Sequence, residues 1–210
     1  MLTALANGAA AMIPVAEIPE GLALRAQDPE LLLAGERGGF RISRDLTGGI
    51  DFDFGNSPRE FLKQKVQGRR IAITTTNGTR ALRACAHAIE AQVGAFLNLS
   101  ALAQSLERGE LLNLLILCAG TAEEASLEDT LAAGALVDRL TTFQLTDSAL
   151  VARATYLHHR DDLLAAIKRA RNGRKLLSIP ELAPDVEVCL QRDTLQMTAK
   201  LDARGAIRAA

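Results

Sequence analysis

The stretch IAITTTNGTRAL, residues 71–82, gathers short hydrogen-bonding side chains where a strand pattern hands over to a helix pattern. Thr74, Thr75, Thr76 and Thr79 offer hydroxyls and Arg80 a guanidinium. Asn77-Gly78 permits positive φ and hence a tight turn whose N–H groups point inward. A helix opening directly after such a turn adds free amides and partial positive charge. Together these groups suit a phosphate or a sulfonate. The plainer alternative is a strand end, an ordinary turn and Thr79 as a helix N-cap. The stretch is neither a Walker A loop, having no Gly-Lys-Ser/Thr, nor a GxGxxG fingerprint.

Two further junctions carry polar groups. In CAGTAEEASLEDTLAAG, residues 118–134, Ser126 and Asp129 have the spacing of a capping box. Glu128 and Asp129 are alternatively oxygen ligands for Mg²⁺. Glu123 and Glu124 read as solvated loop acids. The third junction holds AGERGG, residues 34–39, and DFDFGNSP, residues 51–58. Glu36 and Arg37 follow a strand pattern there. Asp51 and Asp53 alternate along a short extended segment and would share a face. Asn56 and Ser57 sit at a helix start, with Pro58 at its first position. An Arg–Asp ion pair within this loop is the structural alternative.

The elements that must position these groups are read from periodicity. Short apolar runs at 12–15 and 31–34 flank a helical spacing through Ile18, Leu22 and Ala26. Residues 35–57 form a long loop that could contain a hairpin, and loops of that length in compact domains are usually functional. Strands are expected at 70–75, 94–98 and 112–118, with helices at 79–90, 100–108, 126–140 and about 146–171. DVEVCLQR, residues 185–192, alternates like a strand. Strands alternating with helices imply an α/β fold, a layered α/β/α arrangement with a mostly parallel or mixed sheet. One domain is expected over residues 1–210. In such sheets ligands bind where strands end and helices begin, so Glu36, Asn56, Asn77 and Glu128 should border one cleft.

Composition narrows the function. With 48% hydrophobic and 23% charged residues in 210, the chain can bury a core without staples. A net charge of −1 and only 3% aromatics argue against nucleic acid and membrane surfaces as partners. Cys85, Cys118 and Cys189 form no metal or disulfide spacing and are expected to be small buried residues in a reducing, cytoplasmic compartment. His87, His158 and His159 form no catalytic constellation and are expected at the surface.

LLLAGERGG, DFGNSPREF, TTTNGTRAL, FLN and CAG…SLEDTLAAGAL occur here in one order. Together they resemble the 2-phosphosulfolactate phosphatase (ComB) family, over roughly residues 1–200. The resemblance implies a Mg²⁺-dependent phosphatase that hydrolyses 2-phospho-3-sulfolactate to sulfolactate and phosphate on the route to coenzyme M. It gives Arg37 and Arg80 a role, since the substrate carries phosphate, carboxylate and sulfonate. With them, Asn56, Ser57, Thr75, Thr76, Asn77, Gly78 and Thr79 are the expected anion-binding residues. Glu36, Asp53, Glu128 and Asp129 are the carboxylates expected for metal binding or acid–base work, with Asp53, Glu128 and Asp129 as metal ligands. The family pattern opens with a strand and an Asp…Leu-Arg-Ala-Thr-Thr segment before a helix ending in NGA; this sequence starts at MLTALANGAA, inside that helix. An N-terminally shortened domain is therefore expected, and a homodimer covering the sheet edge so exposed. The second reading is an anion-binding homologue that has lost turnover.

Overall fold

The computed structural model describes residues 1–109 and 113–210. Backbone contacts divide the chain into two compact units, Met1–Val93 with Ala199–Ala210, and Gly94–Thr198. The sheet belongs to the first. Among the described residues it has six strands: β1 (Ala11–Pro14), β2 (Leu32–Arg37), β3 (Phe40–Arg41), β4 (Arg70–Thr74), β5 (Ala199–Leu201) and β6 (Ile207–Ala209). Their order is β3-β2-β4-β1-β6-β5. The middle strands β2, β4 and β1 run parallel, and antiparallel strands flank them on both sides. The sheet is thus mixed, with a parallel centre.

Each parallel strand of this centre leads toward a polar junction. The helix α1 (Leu2–Ala6) precedes β1, and α2 (Ile18–Gln27) follows it. The long loop after β2 does contain a hairpin. Arg37 pairs with Phe40 across Gly38-Gly39, whose φ values of +66° and +95° are those of a two-residue primed turn. The short helices α3 (Arg44–Thr47) and α4 (Lys63–Val66) lead on to β4, and α5 (Gly78–Ala84) follows it. Val15, Leu33, Ile42, Phe52 and Ala72 form a buried core, with Ile18 and Leu22 of α2 packed against it. That burial explains why Asp51 and Asp53 flank an inward Phe52 rather than facing one ligand.

The second unit is helical: α6 (Leu99–Arg108), α7 (Leu127–Val137), α8 (Asp147–His159), α9 (Leu163–Arg169), α10 (Arg171–Leu177) and α11 (Ala183–Leu190). Leu99, Leu102, Ala103 and Leu106 of α6 are buried at the spacing of one helix face. Three expected strands take other forms. Residues 96–98 make a 3-10 turn, because Asn98 is fully buried and its side-chain oxygen accepts the Ala95 N–H. Such a local side-chain bond competes with a ladder. Of 112–118, residue 112 lies outside the described residues. Residues 113–118 have no strand partner among them; Leu114 and Ile116 pack on the helical core, whereas Leu115 and Leu117 are exposed. DVEVCLQR is the body of α11, which starts with Pro184 in its first turn and packs on α9 and α10. No helix among the described residues is long and apolar enough to cross a membrane.

Candidate active site

The four threonines around residue 76 have separate partners. Thr74, fully buried at the end of β4, donates its hydroxyl to the Ala16 carbonyl just beyond β1 and accepts from the guanidinium of Arg37, the last residue of β2. One side chain thus joins the ends of all three parallel strands. Thr75 and Thr79 close a ring. The Thr79 N–H donates to Thr75 Oγ1, the Thr75 N–H donates to Thr79 Oγ1, and that hydroxyl donates to the Thr75 carbonyl. Thr79 is therefore a buried brace inside α5, and Asn77 holds the N-cap position. The expected positive φ is absent from this turn: Asn77 has φ −124°, and Gly78 already belongs to the helix. A Cβ on Gly78 would meet Thr75 Oγ1 at 3.3 Å, so the glycine serves close packing of the threonine ring instead.

Thr76 faces Glu36. Glu36 Oε1 accepts the Thr76 N–H at 2.9 Å and its hydroxyl at 3.0 Å, while Oε2 accepts the Gly39 N–H at 2.8 Å. Burial alone would raise the Glu36 pKa. The bonds from Thr76 and Gly39, with the charge of Arg37, outweigh it and hold the carboxyl below its ordinary value. A buried carboxylate with both oxygens committed to donors is a rigid anchor for the hairpin and the Thr76–Asn77 turn. Arg37 donates to its neighbour's carbonyl, Glu36 O, as well as to Thr74, and lies 3.6 Å from Glu17. Arg80 is exposed in the first turn of α5.

The carboxylates of DFDF point to different tasks. Asp51 pairs with Arg44 in the loop, the arginine holding its carboxyl below the ordinary value. Asp53 Oδ2 accepts both Arg25 Nη1 and the Leu33 N–H at 2.7 Å. It ties α2 to β2. The expected Arg–Asp pair within the loop is Arg44–Asp51, whereas Asp53 reaches outside the loop to Arg25 of α2. Asn56 is exposed, and Ser57 is buried ahead of a 3-10 turn at Pro58–Glu60 without a capping bond to it. Glu60 reaches back to the Gly55 N–H.

In the second unit Ser126 caps α7, accepting the Asp129 N–H. The two acids of that first turn then find different partners. Glu128 is the more heavily engaged: Oε2 accepts the Ser126 hydroxyl at 2.8 Å, and Oε1 accepts the Gly173 N–H of α10 at 2.9 Å. Asp129 directs Oδ2 to the Gly120 N–H at 2.7 Å. Burial and the Glu128 charge raise its pKa, against the pull of that bond. Asp129 is a carboxylate for which a cation or a proton would relieve unfavourable charge. Among the described residues no three His, Cys, Asp or Glu side chains assemble as a metal site. Mg²⁺ commonly uses one or two carboxylates and retains water. Glu36 and Glu128 each have both oxygens on protein donors and Asp53 is paired with Arg25, so Asp129 is the carboxylate of the four nearest to that donor set.

Two of the three junctions thus meet in the first unit, through Glu36 and Thr76. Glu128 and Asp129 lie in the second. The sequence reading missed the end of β1, where Ala16 and Glu17 meet Thr74 and Arg37, and where Glu20 accepts the Ala16 N–H and pairs with Arg83. The same strand-to-helix handover in MIPVAEIPE was its signal. It also missed Gly173, for which residues 168–175 offer only a run of charges. Cys118 and Cys189 are exposed rather than buried, and Cys85 is half-buried; all are free thiols. Desolvation, then Asp129, raises the Cys118 pKa, the opposite of an activated thiolate. His87 and His158 are exposed and His159 half-buried. The open concavities around Asp28 and Arg70 lie at the opposite end of β4 from Thr74, amid mutually paired charges.

A family model described as 2-phosphosulpholactate phosphatase matches residues 1–204. A protein of Caldanaerobacter subterraneus subsp. tengcongensis named "Probable 2-phosphosulfolactate phosphatase" is 36% identical over 204 residues, covering 95% of this chain and 81% of that protein. Proteins of the same name from Thermotoga petrophila and Synechococcus sp. (strain JA-3-3Ab) are 37% and 38% identical, over 96% and 92% of this chain and 83% and 80% of their own lengths.

Proposed function

Because this chain belongs to the 2-phosphosulpholactate phosphatase family, we propose that it is a Mg²⁺-dependent phosphoric monoester hydrolase. Its substrate is 2-phospho-3-sulfolactate or a closely related phosphorylated hydroxy acid, and its products are the free hydroxy acid and phosphate. The relatives' shared name supports the phosphatase reading and gives none to a homologue without turnover. The observation that carries the reading structurally is the meeting of three parallel strand ends at Thr74, with Arg37 and the Thr76–Asn77–Gly78 turn held in place by Glu36.

The chain's own groups then divide the work. Arg37 and Arg80 supply guanidinium donors for phosphate, sulfonate or carboxylate oxygens. The Thr75–Thr79 ring fixes the start of α5, where Asn77 and Gly78 present backbone amides. Glu36 orients this turn and Asp53 secures α2 to β2, so neither is assigned proton transfer. Asn56 and Ser57 remain candidates for substrate contact. Asp129 is assigned the cation, Glu128 having both oxygens on Ser126 and Gly173. Mg²⁺ held there would supply Lewis-acid chemistry.

The test is phosphate release from 2-phosphosulfolactate and from a panel of phosphorylated hydroxy acids, with Mg²⁺ and with EDTA. Release that stops in EDTA and returns with Mg²⁺ is expected. Full activity in EDTA overturns the metal assignment. Binding of substrate without release under any condition overturns catalysis and favours the anion-binding reading.

A further inference from the structure

The segment GNSPRE, residues 55–60, is pinned at both ends. Phe54 pairs in parallel with Ala34 of β2. Its N–H donates to the Leu33 carbonyl and its carbonyl accepts the Gly35 N–H, each at 3.1 Å. At the other end the Phe61 carbonyl accepts Asn7 Nδ2 at 2.7 Å. The rings of Phe54 and Phe61, both buried, meet with centroids 5.1 Å apart. The loop thus leaves and returns at one place, on the outer edge of β2. A Cβ on Gly55 would lie 3.6 Å from the Arg41 Cβ, and Arg41 stands opposite Glu36 in the hairpin. The loop therefore starts beside the carboxylate that holds Thr76.

Inside the loop one side chain does the closing. Glu60 Oε2 accepts the Gly55 N–H at 2.8 Å, and the Glu60 N–H donates to the Ser57 carbonyl at 3.2 Å. Gly55 leaves the room this needs, since a Cβ there would stand 2.7 Å from Glu60 Oε1. A carboxylate that accepts a backbone N–H makes a charge-assisted bond, roughly twice as strong as a neutral one. That bond fixes Gly55, the residue directly before Asn56. Asn56 is exposed, and its amide offers donors as well as an acceptor.

We infer that Glu60 is a positioning residue that sets Asn56 for contact with an anionic group of the substrate. The inference rests on the reading of Asn56 as a substrate contact. The charge of Glu60 makes the inference sharp. A carboxylate beside an anion site repels the ligand, so its removal would tighten binding if charge alone mattered. As a positioning residue its removal weakens binding, because misplacing a substrate-holding group by about 1 Å costs up to about a hundredfold.

The experiment measures kcat and KM on 2-phosphosulfolactate with the full chain, alongside calorimetric titration with inorganic phosphate and with sulfolactate. Glu60→Ala removes the acceptor. Gly55→Ala leaves Glu60 in place and sets a methyl against its carboxylate. Glu60→Gln keeps an acceptor oxygen without the charge. Circular dichroism and thermal melts check that each variant is folded. Expected in Glu60→Ala, Gly55→Ala and Asn56→Ala are an about tenfold lower kcat/KM and weaker binding of at least one of the two titrants. Glu60→Gln should recover most of that loss. The double variant Glu60→Ala/Asn56→Ala should be no worse than Asn56→Ala alone, as for two residues acting through one contact. With Asn56→Ala impaired, two results overturn the positioning inference and spare the contact: native or tighter binding in Glu60→Ala, even at a lower melting temperature, and additive losses in the double variant. Native kinetics and binding in Asn56→Ala, or neither turnover nor binding by the unaltered chain, overturn the contact and the inference with it.

Discussion

Glu36 Oε1 accepts both the backbone N–H and the hydroxyl of Thr76, two residues forty positions apart, at 2.9 and 3.0 Å. A single buried carboxylate thus decides where the turn before α5 lies. Its neighbours give it a lowered pKa, which has a consequence for stability.

A group whose folded pKa is depressed contributes stability that is present above its unfolded value and lost as pH falls through its folded value. Glu36→Gln removes that contribution. The variant is expected to be less stable by about 1–3 kcal/mol at neutral pH, the usual range for hydrogen bonds to a charged acceptor. The difference should shrink as the pH is lowered below about 5, where the unfolded chain's glutamate begins to take up a proton, and vanish once the folded one, with its lowered pKa, is protonated too. Thermal melts of both proteins from pH 7 to pH 3 measure this. A constant difference across that range removes the charge of Glu36 from the account.

Gly78→Val places a side chain against Thr75 Oγ1, which a Cβ already meets at 3.3 Å. The Thr75–Thr79 ring should shift while β4 and its neighbours stay in place. Phosphate or substrate affinity is expected to fall about tenfold, roughly 1.4 kcal/mol, with an unaltered far-ultraviolet spectrum. Native affinity in the folded variant would separate this turn from anion binding.

Asp51 and Asp53 should respond differently to replacement. Asp53→Asn weakens the bonds to Arg25 and the Leu33 N–H in the first unit's framework, at a cost of about 1–2 kcal/mol. Asp51→Asn breaks an exposed loop pair with Arg44 and should leave the melting temperature nearly unchanged. Denaturant titration of the two variants compares them directly. Equal losses would show that the Arg44–Asp51 pair is also part of the framework.

A homodimer is proposed on the exposure of Leu115 and Leu117, 85% and 48% accessible on an apolar run. Exposed apolar surface of this kind tends to be covered by association. Light scattering at micromolar concentration should report twice the chain mass, and Leu115→Lys with Leu117→Lys should return the mass to that of one chain. A monomer in the unaltered protein removes the proposal.

The sequence by itself determined what depends on near neighbours. Ser126 before a helix, the Gly38-Gly39 turn, and the handover from β4 to α5 follow from local sterics and short-range hydrogen bonds. The family motifs, read in order, also identified two places in the first unit that meet. What each carboxylate does was decided only in three dimensions. Asp53 and Asp51 are two residues apart and identical in type, yet one finds Arg25 and the other Arg44. Glu128 and Asp129, adjacent and both expected as ligands, part company because Gly173 arrives from 45 residues away and donates its N–H to Glu128, while Asp129 accepts from Gly120. DVEVCLQR has the alternation of a strand and becomes α11, since the available neighbours in its unit are helices. A local pattern fixes backbone preference and amphipathic face. The partner that satisfies a buried charge or an unpaired amide comes from wherever the folded chain returns, and no spacing along the sequence encodes that distance.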